Sequence, residues 1–223
     1  MDIKASKKLT IFPTSRVTGL WLTAFNNAVG VINGFKLAAS LEVSSTPPHP
    51  ETDAGANVQF DLGNGVLKYR AWGKDYTVTE KINDVVSDVK LDPTALHGLT
   101  QTLSSAGIVQ RAFIFVPATP MTPAQVRVAP GPDGFKNVPR PSGLGVLTFI
   151  AAHEMIHALG LTDNEHTVKG AFGDVFTGLP GLIAGAFDKP ADDRLRVRDD
   201  PRVDMPPLAI SKDTRDFVTQ AWT

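Results

Sequence analysis

One segment, residues 146–159, constrains the fold more than any other, because it is apolar nearly throughout and yet carries three ionisable side chains. A helix that is apolar almost all round is a buried one. His153, Glu154 and His157 lie within this segment, and the two histidines are one helical turn apart, so their rings project from the same face. Buried ionisable groups are costly unless they find partners. The segment therefore predicts an internal site in which the two imidazole side chains have a binding partner.

The spacing of the three residues is typical of a zinc site in a hydrolase. Neutral imidazole is a good ligand for a borderline metal such as zinc. Glu154 lies beside the two histidines, close enough to a metal-bound water to accept its proton. We therefore predict Zn²⁺ as the cofactor, His153 and His157 as its ligands, and Glu154 as a general base. The apolar flanks disfavour the competing interpretation, in which the three residues share a solvated face by coincidence.

The residues from His153 onward resemble the metzincin clan of metallopeptidases, whose pattern HExxHxxGxx precedes a third ligand. Gly160 matches the glycine of that pattern, and it can adopt the positive φ that ends the helix and turns the chain back toward the metal. The clan's third-ligand position holds Asp163, and the next histidine is His166. The resemblance implies that one of them binds the metal. His166 is preferred because a neutral imidazole matches the other two ligands, and Asp163 is the alternative.

The end of the chain resembles a matrixin-type catalytic domain of the same clan. Met205 is followed by two prolines that enforce a turn, where the clan places a methionine below the metal. Ser211 is a favourable N-cap, and the segment 212–222 carries apolar residues at helical spacing. The resemblance implies a Met-turn at Met205, followed by a C-terminal helix.

The order of predicted elements indicates an α+β fold, with an α/β order in the N-terminal part. The resemblance implies a twisted sheet with a long backing helix, an active-site helix and a smaller C-terminal subdomain that ends in a helix. We predict one catalytic domain over 1–223, with 1–160 as the upper subdomain and 161–223 as the lower one. Hydrophobic periodicity predicts a long helix at 18–37 and strands at 9–12, 36–43, 57–62, within 66–78 and at 108–116.

Two further segments carry predictions of their own. Asp92 followed by Pro93 predicts the start of a short helix, with the aspartate as N-cap and the proline at the first helical position. Residues 117–141 contain seven prolines, so no regular element is predicted there. Because this stretch connects the strongest strand to the active-site helix, we predict an ordered rim of the cleft.

Composition narrows the classes of partner and location. A net charge of −1 gives no electrostatic reason to expect nucleic acid or an anionic membrane, and no apolar stretch is long enough to span a bilayer. The absence of cysteine excludes disulfides and a thiolate zinc site. Residues 1–8 lack the apolar segment of a signal peptide, which predicts a cytoplasmic protein by default, or one exported or packaged without a leader. Four acidic residues are candidates for Ca²⁺, although a solvated loop is the preferred interpretation: Asp192, Asp193, Asp199 and Asp200.

Together these features predict a zinc-dependent endopeptidase that acts on a peptide or protein substrate. Glu154 would accept a proton from a metal-activated water that attacks the peptide carbonyl. The resemblance implies that the extended substrate lies antiparallel to an edge strand. The alternative is a non-catalytic binding or structural protein on a metzincin scaffold with a structural zinc, and the altered third-ligand region motivates it. The sequence does not set the oligomeric state.

Overall fold

The computed structural model describes residues 6–105, 108–127, 135–161, 175–177 and 208–223, and within them the fold is α+β. The helices of the described residues are α1 (Gly19–Gly34), α2 (Leu144–Ala158) and α3 (Lys212–Ala221). The strands are β1 (Lys8–Pro13), β2 (Ser40–Val43), β3 (Val58–Gly63), β4 (Gly65–Val66), β5 (Lys68–Ala71), β6 (Lys74–Thr77), β7 (Thr79–Ile82), β8 (Val85–Asp88), β9 (Lys90–Leu91), β10 (Leu99–Ser105), β11 (Ile108–Pro117), β12 (Met121–Arg127), β13 (Phe135–Pro141), β14 (Phe176–Thr177) and β15 (Ala209–Ile210).

A five-stranded mixed sheet, in the order β10-β11-β3-β1-β2, organises these elements. Strand β1 pairs in parallel with β2 and β3, and β11 pairs in parallel with β3. Strand β10 runs antiparallel to β11 at one end of the sheet. The predicted strands 9–12, 57–62 and 108–116 are confirmed, whereas the strand predicted at 36–43 is confined to β2. Lys36 instead adopts a positive φ of 52° in the turn after α1.

Both faces of the sheet are covered, which explains the nearly continuous apolar run of β11. Ala112, Ile114 and Val116 belong to the main core with α1 and α2. The intervening Phe113 and Phe115 pack in a second cluster with residues of the segment 67–91, including Leu67, Ala71, Val78 and Leu91. Alternate side chains of a strand point to opposite faces, so one strand serves both cores.

Helix α1 covers the sheet with one apolar face and also protects its β2 edge. Phe25 packs its ring 5.2 Å from that of Phe60 of β3. Asn33 donates from Nδ2 to the Leu41 carbonyl at 2.9 Å, and the Leu41 amide donates to Asn33 Oδ1 at 2.9 Å. This side-chain amide therefore makes the two hydrogen bonds that a neighbouring strand would otherwise make with Leu41.

Helix α3 joins the C-terminal ends of the other two helices. The amide of Thr214 donates to Ser211 Oγ at 3.1 Å, which confirms the predicted N-cap. Trp222 is buried and donates from Nε1 to the Leu159 carbonyl at 2.8 Å. Arg215 donates from Nη1 to the Phe35 carbonyl at 3.0 Å. The predicted C-terminal helix is thus present, and Trp222 at its end is hydrogen-bonded to the residue that follows α2.

The short helix predicted at Asp92 is wrong. Asp92 Oδ1 accepts hydrogen bonds from the Thr94 amide at 2.8 Å and the Thr94 hydroxyl at 2.7 Å, and these bonds hold the pKa of this carboxyl below its usual value. The local capping interaction therefore forms. The chain makes a single turn and then continues into strand β10, whose pairing with β11 outweighs helix propensity.

The prediction of no regular element at 117–141 is also wrong, because β12 and β13 form an antiparallel hairpin there. Pro123 lies opposite Pro139, and Met121 lies opposite Pro141. These prolines occupy alternate positions, and antiparallel pairs alternate between hydrogen-bonded and non-hydrogen-bonded types. Residues without an N–H can therefore be placed where the ladder does not need one.

Gly30 offers a test of the helical assignment of α1. It is exposed, and a Cβ built there would meet no atom within 4 Å. We expect Gly30→Ala to raise the free energy of unfolding by about 0.5–1 kcal/mol, because alanine loses less backbone entropy in a helix. Urea denaturation measures the change, and a less stable variant would contradict the assignment.

Gly160→Ala is the matched control, since the same change should there have the opposite sign. Gly160 has a φ of +110°, and its Cβ would lie 3.0 Å from Cβ of Ala221. We expect the free energy of unfolding to fall by about 1 kcal/mol or more.

Candidate metal and catalytic site

The site is built on α2, which packs against α1, β10 and β11. Its apolar residues are buried on several sides, as the composition of the segment predicts. His157 and Glu154 are also buried, at 6% and 4% exposure, and His153 is half-buried. The helix therefore carries its polar residues into the interior, where water competes weakly for them.

The two histidines converge through the same ring atom. Nε2 of His153 lies 3.1 Å from Nε2 of His157, with the rings inclined at 63°. Two nitrogen ligands of a tetrahedral zinc ion, each about 2.0–2.1 Å from the metal, lie about 3.3 Å apart. The observed separation is close to that value, so the donor atoms fit a shared zinc ion.

The turn after α2 sets the tautomer of His157. Nδ1 of His157 lies 2.8 Å from the Leu161 carbonyl oxygen, which can only accept, so Nδ1 donates. The lone pair of the neutral ring is then on Nε2, the atom that faces His153. Gly160, with its positive φ, forms the turn that brings the Leu161 carbonyl within hydrogen-bond distance of Nδ1. This is the arrangement by which proteins orient a metal-binding imidazole.

Glu154 is held by strand β10. The Thr100 hydroxyl oxygen lies 2.7 Å from Glu154 Oε2 and 3.0 Å from the Glu154 backbone carbonyl oxygen. A hydroxyl has one hydrogen to donate and lone pairs with which to accept. It can donate to the ionised carboxylate, or accept from the protonated acid while it donates to the carbonyl. Thr100 can thus remain hydrogen-bonded to Glu154 in either protonation state.

Gly98 provides the space in which Glu154 lies. A Cβ built on Gly98 would be 2.7 Å from Glu154 Cγ and 2.7 Å from the Phe115 carbonyl oxygen. No side chain fits there, so the glutamate packs directly on the backbone of the chain entering β10. Sequence analysis missed both Gly98 and Thr100, because their role depends on strand register more than fifty residues away from the motif.

Several predicted site residues lie outside the described residues. They are Asp163, His166, Met205 and the acidic set Asp192, Asp193, Asp199 and Asp200. Within the described ranges, no third His, Cys, Asp or Glu completes a group that could hold a metal ion. The third ligand, the Met-turn, the calcium site and the division at residue 160 therefore stay predictions.

No protein-family model, curated protein or solved structure matches this chain. Among the described residues, no helix is both long and apolar enough to cross a membrane.

Replacing Gly98 tests the packing around Glu154. We expect Gly98→Ala to lower the free energy of unfolding by about 1–3 kcal/mol, because the added methyl group overlaps a buried side chain and a strand carbonyl. Denaturation in urea gives the value, with Gly30→Ala as the control at an open position. Stability equal to that of the wild type would show that Glu154 does not pack on Gly98.

Proposed function

We propose that the protein is a zinc-dependent endopeptidase of metzincin type. The observation that carries the proposal is the convergence of two Nε2 atoms, 3.1 Å apart, beside a buried carboxylate on the same helix. A pair of neutral imidazoles suits zinc, and an adjacent carboxylate suits a base that acts on water. A zinc ion bound there supplies a Lewis acid and lowers the pKa of a water molecule toward about 7.

The residues of the chain have distinct roles in this proposal. His153 and His157 hold the ion, with His166, or else Asp163, as the third ligand. Glu154 removes a proton from the water whose oxygen attacks the carbonyl carbon of the peptide. It returns that proton to the amide nitrogen as the C–N bond breaks, so one water is consumed and an amine and a carboxylic acid are released, and the acid then gives up the second proton of the water.

The position of β10 supports a peptide as the substrate. Among the described strands, β10 is the terminal strand of the sheet, and the segment that leads into it packs on Glu154. An extended peptide that pairs with the outer edge of β10 would pass beside the proposed base. Backbone pairing would then determine which peptide bond reaches the site, and pockets for alternate side chains would select the sequence.

Zinc content tests the metal site and identifies its third ligand. Elemental analysis of protein purified without added metal should find about one zinc per chain in the wild type. His153→Ala and His157→Ala should lose it, because two ligands rarely retain the ion. Of Asp163→Ala and His166→Ala, only the variant that removes the third ligand should lose it. A wild type that binds no zinc, even after zinc is added, would contradict the proposal.

Glu154→Gln tests the proposed base. The change keeps the size of the side chain and removes its basicity, so we expect zinc to be retained and hydrolysis of a fluorogenic peptide library to fall by at least about 100-fold. Glu80→Gln, the same change at an exposed position, is the control and should leave hydrolysis unchanged. Glu154→Gln activity within a few-fold of the wild type would refute the role of Glu154.

Retention of zinc without hydrolysis by the wild type would favour the second candidate, a binding or structural protein with a structural zinc. The specific motivation for that candidate is the aspartate at the third-ligand position with a histidine three residues later. If both residues bound the metal, the open position needed by a water would be closed. Retention of zinc in each single variant, and its loss when Asp163→Ala and His166→Ala are combined, would point to this arrangement.

A further inference from the structure

We propose that Thr100 is a positioning residue that holds the Glu154 carboxylate against edge strand β10. The inference rests on the proposed function, because it assigns a second residue to the same reaction. Its basis is the 2.7 Å contact between the Thr100 hydroxyl and Glu154 Oε2, together with the second contact of 3.0 Å to the Glu154 carbonyl oxygen.

Glu154 needs such a partner because its side chain is long and buried. A glutamate side chain has three rotatable bonds, and fixing them costs a sizeable conformational entropy. Gly98 restricts the aliphatic part by close packing at Cγ. The Thr100 hydroxyl then fixes the carboxylate, and a hydrogen bond to an ionised group is stronger than one between neutral groups. Packing and hydrogen bonding thus act on different parts of the same side chain.

The anchor itself is rigid, because Thr100 lies within a paired strand. Thr100 is opposite Ile114 in the β10–β11 ladder, and Ile114 is fully buried in the main core. A shift of Thr100 would therefore disturb the sheet. A catalytic group supported in this way can be kept within the few tenths of an ångström that reactions require. This explains why a hydroxyl on the strand, more than fifty residues from the motif in sequence, has a defined contact with it.

The same strand would also receive the substrate in the proposed function. A peptide paired with β10 would be placed by backbone hydrogen bonds, and Glu154 is placed by a side chain of that strand. The separation between base and substrate is then set by one element of the fold. We infer that removal of the Thr100 hydroxyl affects the chemical step more than the binding of the peptide.

Two substitutions at Thr100 test the role of the hydroxyl. Thr100→Val keeps the shape and removes the hydroxyl, so we expect kcat to fall about 10- to 100-fold with KM within about twofold, as for a base displaced by a fraction of an ångström. Thr100→Ser keeps the hydroxyl and should restore kcat to within about threefold of the wild type. Thr102→Val, two residues along the same strand and on the same face, is the control and should leave kcat unchanged.

Zinc content and stability are measured on the same proteins. Zinc per chain should be equal in the wild type and all three variants, because Thr100 acts on the base and not on the ligands. A wild-type kcat in Thr100→Val with normal zinc would overturn the inference and leave the proposed function intact. An equal loss in Thr100→Val and Thr100→Ser would also overturn it, since the hydroxyl would then not be the group that matters.

A double-mutant cycle tests the contact without using activity. Thr100→Val, Glu154→Ala and the double variant are unfolded in urea, and the stability loss of the double variant should be smaller than the sum of the two single losses. Additive losses would overturn the inference. If the cycle shows coupling while the wild type binds zinc but hydrolyses no peptide, the contact is real and the endopeptidase proposal is overturned. The catalytic consequence of the contact would then be overturned with it.

Discussion

The burial of α2 against the sheet and against α1 is the constraint on which the site depends. A helix surrounded by apolar side chains leaves its polar groups little access to water, so each needs a partner of its own. His157 donates to the Leu161 carbonyl, and Glu154 accepts from Thr100. The partners come from the turn that ends the helix and from an edge strand. The elements that pack against α2 in the core therefore also orient its polar groups.

The geometry of the histidine pair also depends on distant parts of the chain. The turn at Gly160 brings the Leu161 carbonyl to Nδ1 of His157, and Trp222 of the C-terminal segment donates to the neighbouring Leu159 carbonyl. The end of α2 is therefore fixed from both sides, by its own turn and by α3. An imidazole held in one tautomer by a backbone carbonyl loses less freedom when it binds a metal, which favours binding.

Local patterns predicted much of this arrangement and missed the parts that depend on register. Periodicity identified α1, α2 and the core strands, and Ser211 identified the start of α3, because each signal lies within a few residues of its effect. Thr100 and Gly98 carry no local signal, since their neighbour Glu154 is brought to them by the sheet. At Asp92 and in the proline-rich hairpin the local predictions are wrong, because strand pairing outweighs local propensity.

The two ends of the sheet differ in how they present backbone groups. At β2, the Asn33 amide bonds both the N–H and the C=O of Leu41, so an incoming strand would have to displace an intramolecular partner. At the other end, β10 is the last of the sheet's described strands and lies beside the buried glutamate. Exposed strand edges are templates for indiscriminate association between molecules. Blocking the β2 edge would disfavour strand addition there, and with it the end-to-end stacking of sheets between copies of the protein.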